Sequence, residues 1–509
     1  MSRFLVLKRS ASCWPKNTFT YLRGEPVTYV DALDVARRMG AVLKGLHPEP
    51  VVATLSGNDP LLLLASFGVA AAGGTSVALG AAAKPEANQA IVEKARPSIL
   101  LVDEEHRADA DRLVELVAIE HVITMDSRAA APSEFEKLYA DATPVGDVAP
   151  PALDHIVGFG STGGTTGLPK VAPATSIAID MQIANAWGAL DLGTYRTVHL
   201  VVAPISHAAG SMALILTPAG ATHLVLPKFD AGAVIEAIRE HQVTDIYLPP
   251  TAIYGLLADP EIHGGGLGSL RHIFYAGAPM SAEKLREGIE VLGPVFTQFY
   301  GQAEVPLTAT CLTPAEHEHA LREAPHRLLS AGRPTLFTDL AILNDDDTLA
   351  SVGQNGEVGV RGNLAMWGYV GDRRRRNDEY HRTGDVGHLD EDGYLYLVDR
   401  KRDVIVSGGF NVFPIEVEQV IWANSAVEDC AVIGIPDEKW GEAVTAVVQI
   451  KPGMSVSADE LIAACREALG PIKAPKRVDF VDALPKSPVG KVLKRDLREK
   501  YWVGQERRI

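Results

Sequence analysis

A chain of 509 residues is too long for one ordinary hydrophobic core, so two or more domains with ample buried volume are expected. A formal charge of −16 excludes a general nucleic-acid binder, because phosphate recognition needs a net basic face. Cys13, Cys311, Cys430 and Cys465 lack metal-ligand spacing and suit reduced thiols in a cytoplasm better than a disulfide frame. The longest apolar stretch, Leu61 to Ala72, is too short to span a bilayer, and the first residues carry no extended apolar signal segment. A cytoplasmic protein without a membrane span is therefore expected.

Thr28 caps a predicted helix in which Ala32, Val35, Ala36, Met39, Val42 and Leu43 recur at helical spacing, with Asp31 placed for a capping box. Val51–Leu55, a Ser56-Gly57-Asn58-Asp59-Pro60 turn and the apolar run to Ala72 read as strand, turn and helix; Ile99–Val102 reads as a buried strand. This is an α/β pattern. Residues 129–133 and 144–151, rich in Ala and Pro, read as connections.

They deliver the chain to the apolar run His155-Ile156-Val157-Gly158-Phe159 and then to Gly160-Ser161-Thr162-Gly163-Gly164-Thr165-Thr166-Gly167-Leu168-Pro169-Lys170. Glycines let this backbone turn tightly and aim N–H groups at an anion, threonine hydroxyls add donors, and Lys170 adds positive charge, so the loop reads as a phosphate cradle. It is not a Walker A loop, since no Gly-Lys-Ser/Thr closes a G-x-x-x-x-G-K pattern. The same composition also makes ordinary surface loops, and the rest of the chain must discriminate.

Three strand-then-turn units follow: His199–Ala203 into Pro204-Ile205-Ser206-His207-Ala208-Ala209-Gly210, Arg271–Ala276 into Gly277-Ala278-Pro279, and Val295–Tyr300 into Gly301-Gln302-Ala303-Glu304. In open α/β sheets ligands bind beyond the carboxyl ends of strands, so such loops can converge on one site. The run Arg373–Arg376 reads as a solvated charged face. Thr383-Gly384-Asp385 places a carboxylate after a turn, suited to accept from paired hydroxyls or to close an Asx turn.

Several of these stretches, in order, resemble the acyl-adenylate-forming superfamily of acyl-CoA synthetases, peptide-synthetase adenylation domains and firefly luciferase. Thr162 to Lys170 resembles its phosphate-binding signature, Tyr300-Gly301-Gln302-Ala303-Glu304 its Y-G-x-T-E, and Arg382-Thr383-Gly384-Asp385 its R-T-G-D. Asp399-Arg400, Gly408-Gly409 and Pro414-Ile415-Glu416-Val417-Glu418 resemble its hinge and the following segment, and Pro485 to Lys491 its C-terminal catalytic-lysine motif. Dense matching covers residues 156 to 491; the first 150 residues match only in general pattern.

The resemblance implies a large N-terminal, multi-sheet α/β adenylation domain, residues 1–400, and a small mobile C-terminal α/β domain, residues 401–509, with a hinge near 400–403 and Arg402 at the hinge position. It implies ATP held by Thr162, Gly163, Gly164, Thr165, Thr166, Gly167 and Lys170, by Gly277, Ala278, Pro279, Tyr300, Gly301, Gln302 and Ala303, and by Asp385 and Arg400. Glu304 would hold Mg²⁺, which prefers carboxylate and phosphate oxygens. His207, Ala208, Gly210, Tyr300 and Ala303 would line the acid pocket, with His207 a lining residue and not a general base. Lys491 would stabilise charge developing during adenylation. Gly408 and Gly409 would form a narrow acceptor passage near Trp440, Lys473 and Lys476.

Three positions depart from the family pattern: Ala303 stands where threonine is common, Arg402 where aspartate or lysine is usual, and Ile472 where an aromatic is frequent. The expected activity is ATP- and Mg²⁺-dependent conversion of a carboxylic acid to an acyl-adenylate, then transfer to a nucleophile. CoA is the leading acceptor, an amine as in coronafacic acid ligases is the alternative, and an inactive adenylate-binding module is the reading from another class. A peptide-synthetase adenylation domain fits less well, since no carrier module follows. The acid's identity and the oligomeric state are not written in the sequence.

Overall fold

The structure, a computed structural model, describes residues 3–162, 170–376, 378–486 and 492–502. Thr28 closes the expected capping box with Asp31 at the head of helix Tyr29–Leu46. That helix packs on helix Pro60–Ala71, and glycines set how closely: a Cβ at Gly68 would lie 2.6 Å from that of Met39, and one at Gly40 2.8 Å from that of Ala71. Asp59 caps the second helix through Leu61 N, with Pro60 inside its first turn.

Among the described residues the strands form sheets of nine, six, five and four members. In the six-stranded sheet, His121–Thr124, Ile99–Val102, Val51–Leu55, Thr75–Ala78 and Ile156–Thr162 run parallel, as near-continuous apolar strands between helices should. Its last strand, Lys170–Thr175, is antiparallel to Ile156–Thr162, with Thr162 opposite Lys170. The two strands thus pair as neighbours in the chain, and Lys170 begins the returning one.

The nine-stranded sheet carries parallel neighbours Phe296–Tyr300, His272–Tyr275, Asp245–Tyr247, Val198–Val201 and Thr222–Val225 in that order. An antiparallel sheet from Asp339–Leu343 to Leu395–Arg400 completes the large domain. The smaller C-terminal domain is built on the five-stranded sheet, where the long strands Val427–Asp437 and Gly441–Ile450 pair antiparallel and the helices Pro414–Trp422 and Ala458–Lys473 share their core. Among the described residues no helix is long and apolar enough to cross a membrane.

The large domain buries polar pairs that make it pH-sensitive. His199 Nδ1 and His223 Nδ1 lie 3.1 Å apart on adjacent strands, and both side chains are fully buried. Thr217 Oγ1 donates to Ala213 O and sits 3.4 Å from His223 Nε2, which assigns the Nε2–H tautomer to His223 and makes His199 Nδ1–H the donor to its neighbour. Burial lowers the His199 pKa to about 3, so its contribution to stability is present above pH 6.5 and is lost as pH falls toward 3. Asp245, opposite His199, works in the reverse sense: burial raises it to about 7, so stability present below the ordinary carboxylate range declines as pH rises through 7. His199→Leu should remove about 1.4 kcal/mol per pH unit of positive slope from urea stability between pH 3 and 6.5, leaving the opposing slope of Asp245 in place. An unchanged slope would show that His199 is already protonated in the fold.

Candidate active site

Tyr300 ends its parallel strand and is buried, which raises its pKa well above the ordinary phenol value, with Asp385 adding to the effect. The hydroxyl therefore stays protonated and donates to Asp385 Oδ2 at 2.9 Å. Gln302 donates to the same oxygen at 2.6 Å and to Thr383 O at 3.0 Å. Arg400 stands directly across the antiparallel ladder from Asp385 and places Nε 3.3 Å from Oδ1. Three of roughly four acceptor positions on this carboxylate are in use, leaving room for one hydroxyl donor.

The next two residues turn the other way. Ala303 packs against the hairpin of Ile156–Thr162 and Lys170–Thr175: a Cβ at Gly160 would lie 3.1 Å from that of Ala303. Glu304 is buried, its carbonyl accepts from Met366 N at 2.7 Å, and its carboxylate accepts from the Tyr369 hydroxyl. Lys170 Nζ sits 4.8 Å from the centre of the Tyr369 ring, a cation over an aromatic face. One five-residue turn thus links Asp385 on one side to Lys170 and Glu304 on the other.

Arg375 builds the neighbouring loop. Its guanidinium donates to the carbonyls of Met366, Ala365 and Gly362 at 3.2–3.3 Å and so fixes the segment that presents Tyr369. The expected solvated face therefore describes Arg373 and Arg376, which pair with Glu379 and Asp378 at 2.9 and 2.5 Å, but not Arg375. Neither Arg375 nor Tyr369 was identifiable beforehand; one looked like its charged neighbours and the other carries no local motif.

His207 precedes helix Ala208–Leu216 and accepts or donates through Nδ1 to Ser206 Oγ at 2.9 Å. The residue is exposed, and the protein packed around the ring lowers the imidazole pKa by desolvation. Two expected site glycines have packing causes. A Cβ at Gly210 would lie 2.1 Å from Ile205 O, and one at Gly301 2.5 Å from Leu307 N. Gly277 takes φ +83 just beyond the strand His272–Tyr275, a left-handed turn that leads to Ala278 and Pro279. Gly163, Gly164, Thr165, Thr166, Gly167 and Lys491 lie outside the described residues.

In the small domain Gly408 and Gly409 take φ +60 and +82, and a Cβ at Gly408 would press to 2.9 Å of the Trp440 ring. Lys473 pairs with Glu416 at 2.5 Å. Lys476 lies 5.4 Å from the Trp440 ring centre and places its ammonium 2.7–2.9 Å from the carbonyls of Pro471, Ile472 and Ala474, occupying all three donors. Arg402 sits 4.0 Å from Asp403, and burial followed by the nearby Arg400 lowers its pKa.

Among the described residues one group of His, Asp and Glu side chains comes within metal-ligand distance, Asp103, Glu105 and His106, but Asp103 is already paired with Arg128 at 2.8 Å. No cysteine joins it. Glu304 is a residue that could hold a cation, since its carboxylate is buried and joined through Tyr369 to Lys170.

Comparison with known proteins agrees with this arrangement. The profile described as AMP-binding enzyme matches residues 7–370, and that described as AMP-binding enzyme C-terminal domain matches residues 416–491. A medium/long-chain-fatty-acid–CoA ligase of Mycobacterium tuberculosis is 38% identical over 408 residues, 77% of this chain and 68% of that protein. A feruloyl-CoA synthase of Amycolatopsis is 32% identical over 507 residues, 97% of this chain and 98% of that one. The amide bond synthetase McbA of Marinactinospora thermotolerans superposes with a TM-score of 0.87 at 28% identity, covering 98% of this chain and 100% of that one. The two profile matches and the similarity along nearly the whole chain show the family: this chain belongs to the AMP-binding enzymes of the acyl-adenylate-forming superfamily, ATP-dependent ligases that activate a carboxylic acid.

Proposed function

We propose that the protein is an acid–CoA ligase. The observation that carries the adenylation half is the turn from Tyr300 to Glu304, which joins the Asp385–Arg400 pair to the Lys170 hairpin. Asp385 and Arg400 would hold the ribose, Tyr300 would pack on the adenine beside Gly277 to Pro279, and the hairpin with Lys170 would take the phosphates. Glu304 would share Mg²⁺ with phosphate oxygens, and the cation would neutralise charge on the triphosphate. A carboxylate oxygen of the acid attacks the α-phosphorus as pyrophosphate leaves; the acceptor then attacks the acyl carbon and AMP leaves. His207, Ala208 and Ala303 would line the acid pocket, and the small domain would turn on a hinge at 400–403 between the two steps.

CoA is favoured as acceptor by similarity along the whole chain to a feruloyl-CoA synthase, and the Gly408–Gly409 turn beside Trp440 suits a thin pantetheine arm. A second reading, an amide ligase, is favoured by a specific observation: Lys473 is neutralised by Glu416, Lys476 has its donors filled, and Arg477 pairs with Asp479 at 2.7 Å, which leaves few cations for a CoA nucleotide. Mass spectrometry of one reaction with Mg-ATP, a panel of fatty, aromatic and alicyclic acids, CoA and amino acids decides between them. A thioester supports the first reading; an amide with no thioester replaces it with the second. Glu304→Gln should raise the Mg²⁺ concentration needed for half-maximal pyrophosphate release by about tenfold or more. An unchanged Mg²⁺ titration would remove the metal role.

A further inference from the structure

A cavity of about 200 Å³ lies where helix Arg3–Cys13 begins, bounded by the end of helix Pro60–Ala71, the start of strand Thr75–Ala78 and the segment 148–157. Ala70, Val148, Pro151 and Val157 give it aliphatic walls, and Arg3, Ser66, Ser76 and His155 contribute the polar ones. Arg3 as a residue is half-buried, but its Nε is shielded from solvent and has no hydrogen-bond partner among the described residues. Burial alone lowers the guanidinium's pKa, and no carboxylate of the described residues acts on it in the other direction. The guanidinium also faces the backbone: one terminal nitrogen is 3.8 Å from where a Cβ of Gly158 would stand.

A buried cation with no counter-charge is costly, and an anion supplied to the same cavity removes that cost. We propose that this cavity is a second ligand site, separate from the adenylation cleft, that takes a small ionised carboxylic acid. The planar guanidinium fork matches a carboxylate, while aliphatic walls match its hydrocarbon body and would be wasted on inorganic phosphate. An engineered apolar cavity of about 150 Å³ holds benzene, so this one admits an acid of roughly nine non-hydrogen atoms. The two sites do not overlap. From Val157 in the cavity wall to Thr162 at the phosphate hairpin the strand advances five residues, about 17 Å at 3.3 Å per residue.

Benzoate is the probe. Its concentration is varied at fixed ionic strength while the melting temperature of the full-length protein is followed, with sodium chloride and inorganic phosphate as controls. Wild type should show a saturable rise with benzoate and none with either control. Arg3→Met, which keeps the packing of the stem, should bind at least about tenfold more weakly, the loss expected for a charge-assisted hydrogen bond. Ala70→Leu, which fills the cavity and keeps the charge, should lose binding likewise. No saturable rise in wild type, a phosphate response equal to that of benzoate, or full benzoate binding by either variant overturns the proposal. If Arg3→Met does not fold, Ala70→Leu decides alone. Benzoate bound instead in the adenylation cleft would leave both variants unaffected.

Discussion

Lys491→Ala should slow acid-dependent pyrophosphate release by about 10²- to 10³-fold, the scale on which one preorganised charge acts at a developing oxyanion. Transfer from a synthetic acyl-adenylate should fall far less. A lysine ammonium is a compact cation, and its contribution is largest where negative charge accumulates at the α-phosphate during adenylation. Lys491 lies outside the described residues, but both ends of its segment are pinned: Lys486 bridges Val492, and Leu493 N donates to Pro485 O at 2.8 Å. Pyrophosphate exchange and single-turnover transfer measured on the same variant check the split. Equal losses in both half-reactions would exclude an adenylation-specific role.

Lys494→Met should cost about 3–5 kcal/mol of stability in urea unfolding, because it leaves buried carboxylates without their cation. Lys494 Nζ lies 2.8 Å from Glu418 Oε1 and 3.8 Å from Asp399 Oδ2, and Glu418 Oε1 also accepts from Val432 N at 2.7 Å. Burial opposes the ammonium's charge, yet Asp399 and Glu418 together outweigh it and raise its pKa. Each carboxylate is raised as well, by burial that one shared ammonium only partly offsets. Four residues on, Arg498 pairs with Asp403 at 2.7 Å, so one face of helix Lys494–Glu499 holds both carboxylates that bracket the proposed hinge. Adding Glu418→Gln to Lys494→Met should recover part of the loss, since a neutral amide tolerates burial without a cation. A Lys494→Met protein as stable as wild type would show that the cluster carries no net compensation.

Much of this site is legible along the chain because its groups belong to short strand-then-turn units. The capping box at Thr28, the strand before the phosphate loop and the turn after Tyr300 each follow from local chemistry. Residues whose role comes from distant partners are not legible in that way. Arg375 is indistinguishable from its three neighbours until the carbonyls of Gly362, Ala365 and Met366 surround it. Lys476 reads as a free cation until the backbone after Gly470, where φ is +80, turns its carbonyls inward. Nothing local in the chain shows that a Cβ at Gly210 would meet the Ile205 carbonyl at 2.1 Å.

By itself the sequence determined the α/β alternation, the order of the strand-then-turn units and the residue types in their loops. These depend on hydrophobic period and turn residues, which act over a few positions. The tertiary structure alone decided which charges are spent and which are open. Asp385 is shared among Tyr300, Gln302 and Arg400, Lys473 is neutralised by Glu416, and Arg3 Nε is left without a partner among the described residues. Pairing and desolvation depend on distances between residues tens to hundreds of positions apart, and no local pattern in the chain encodes them.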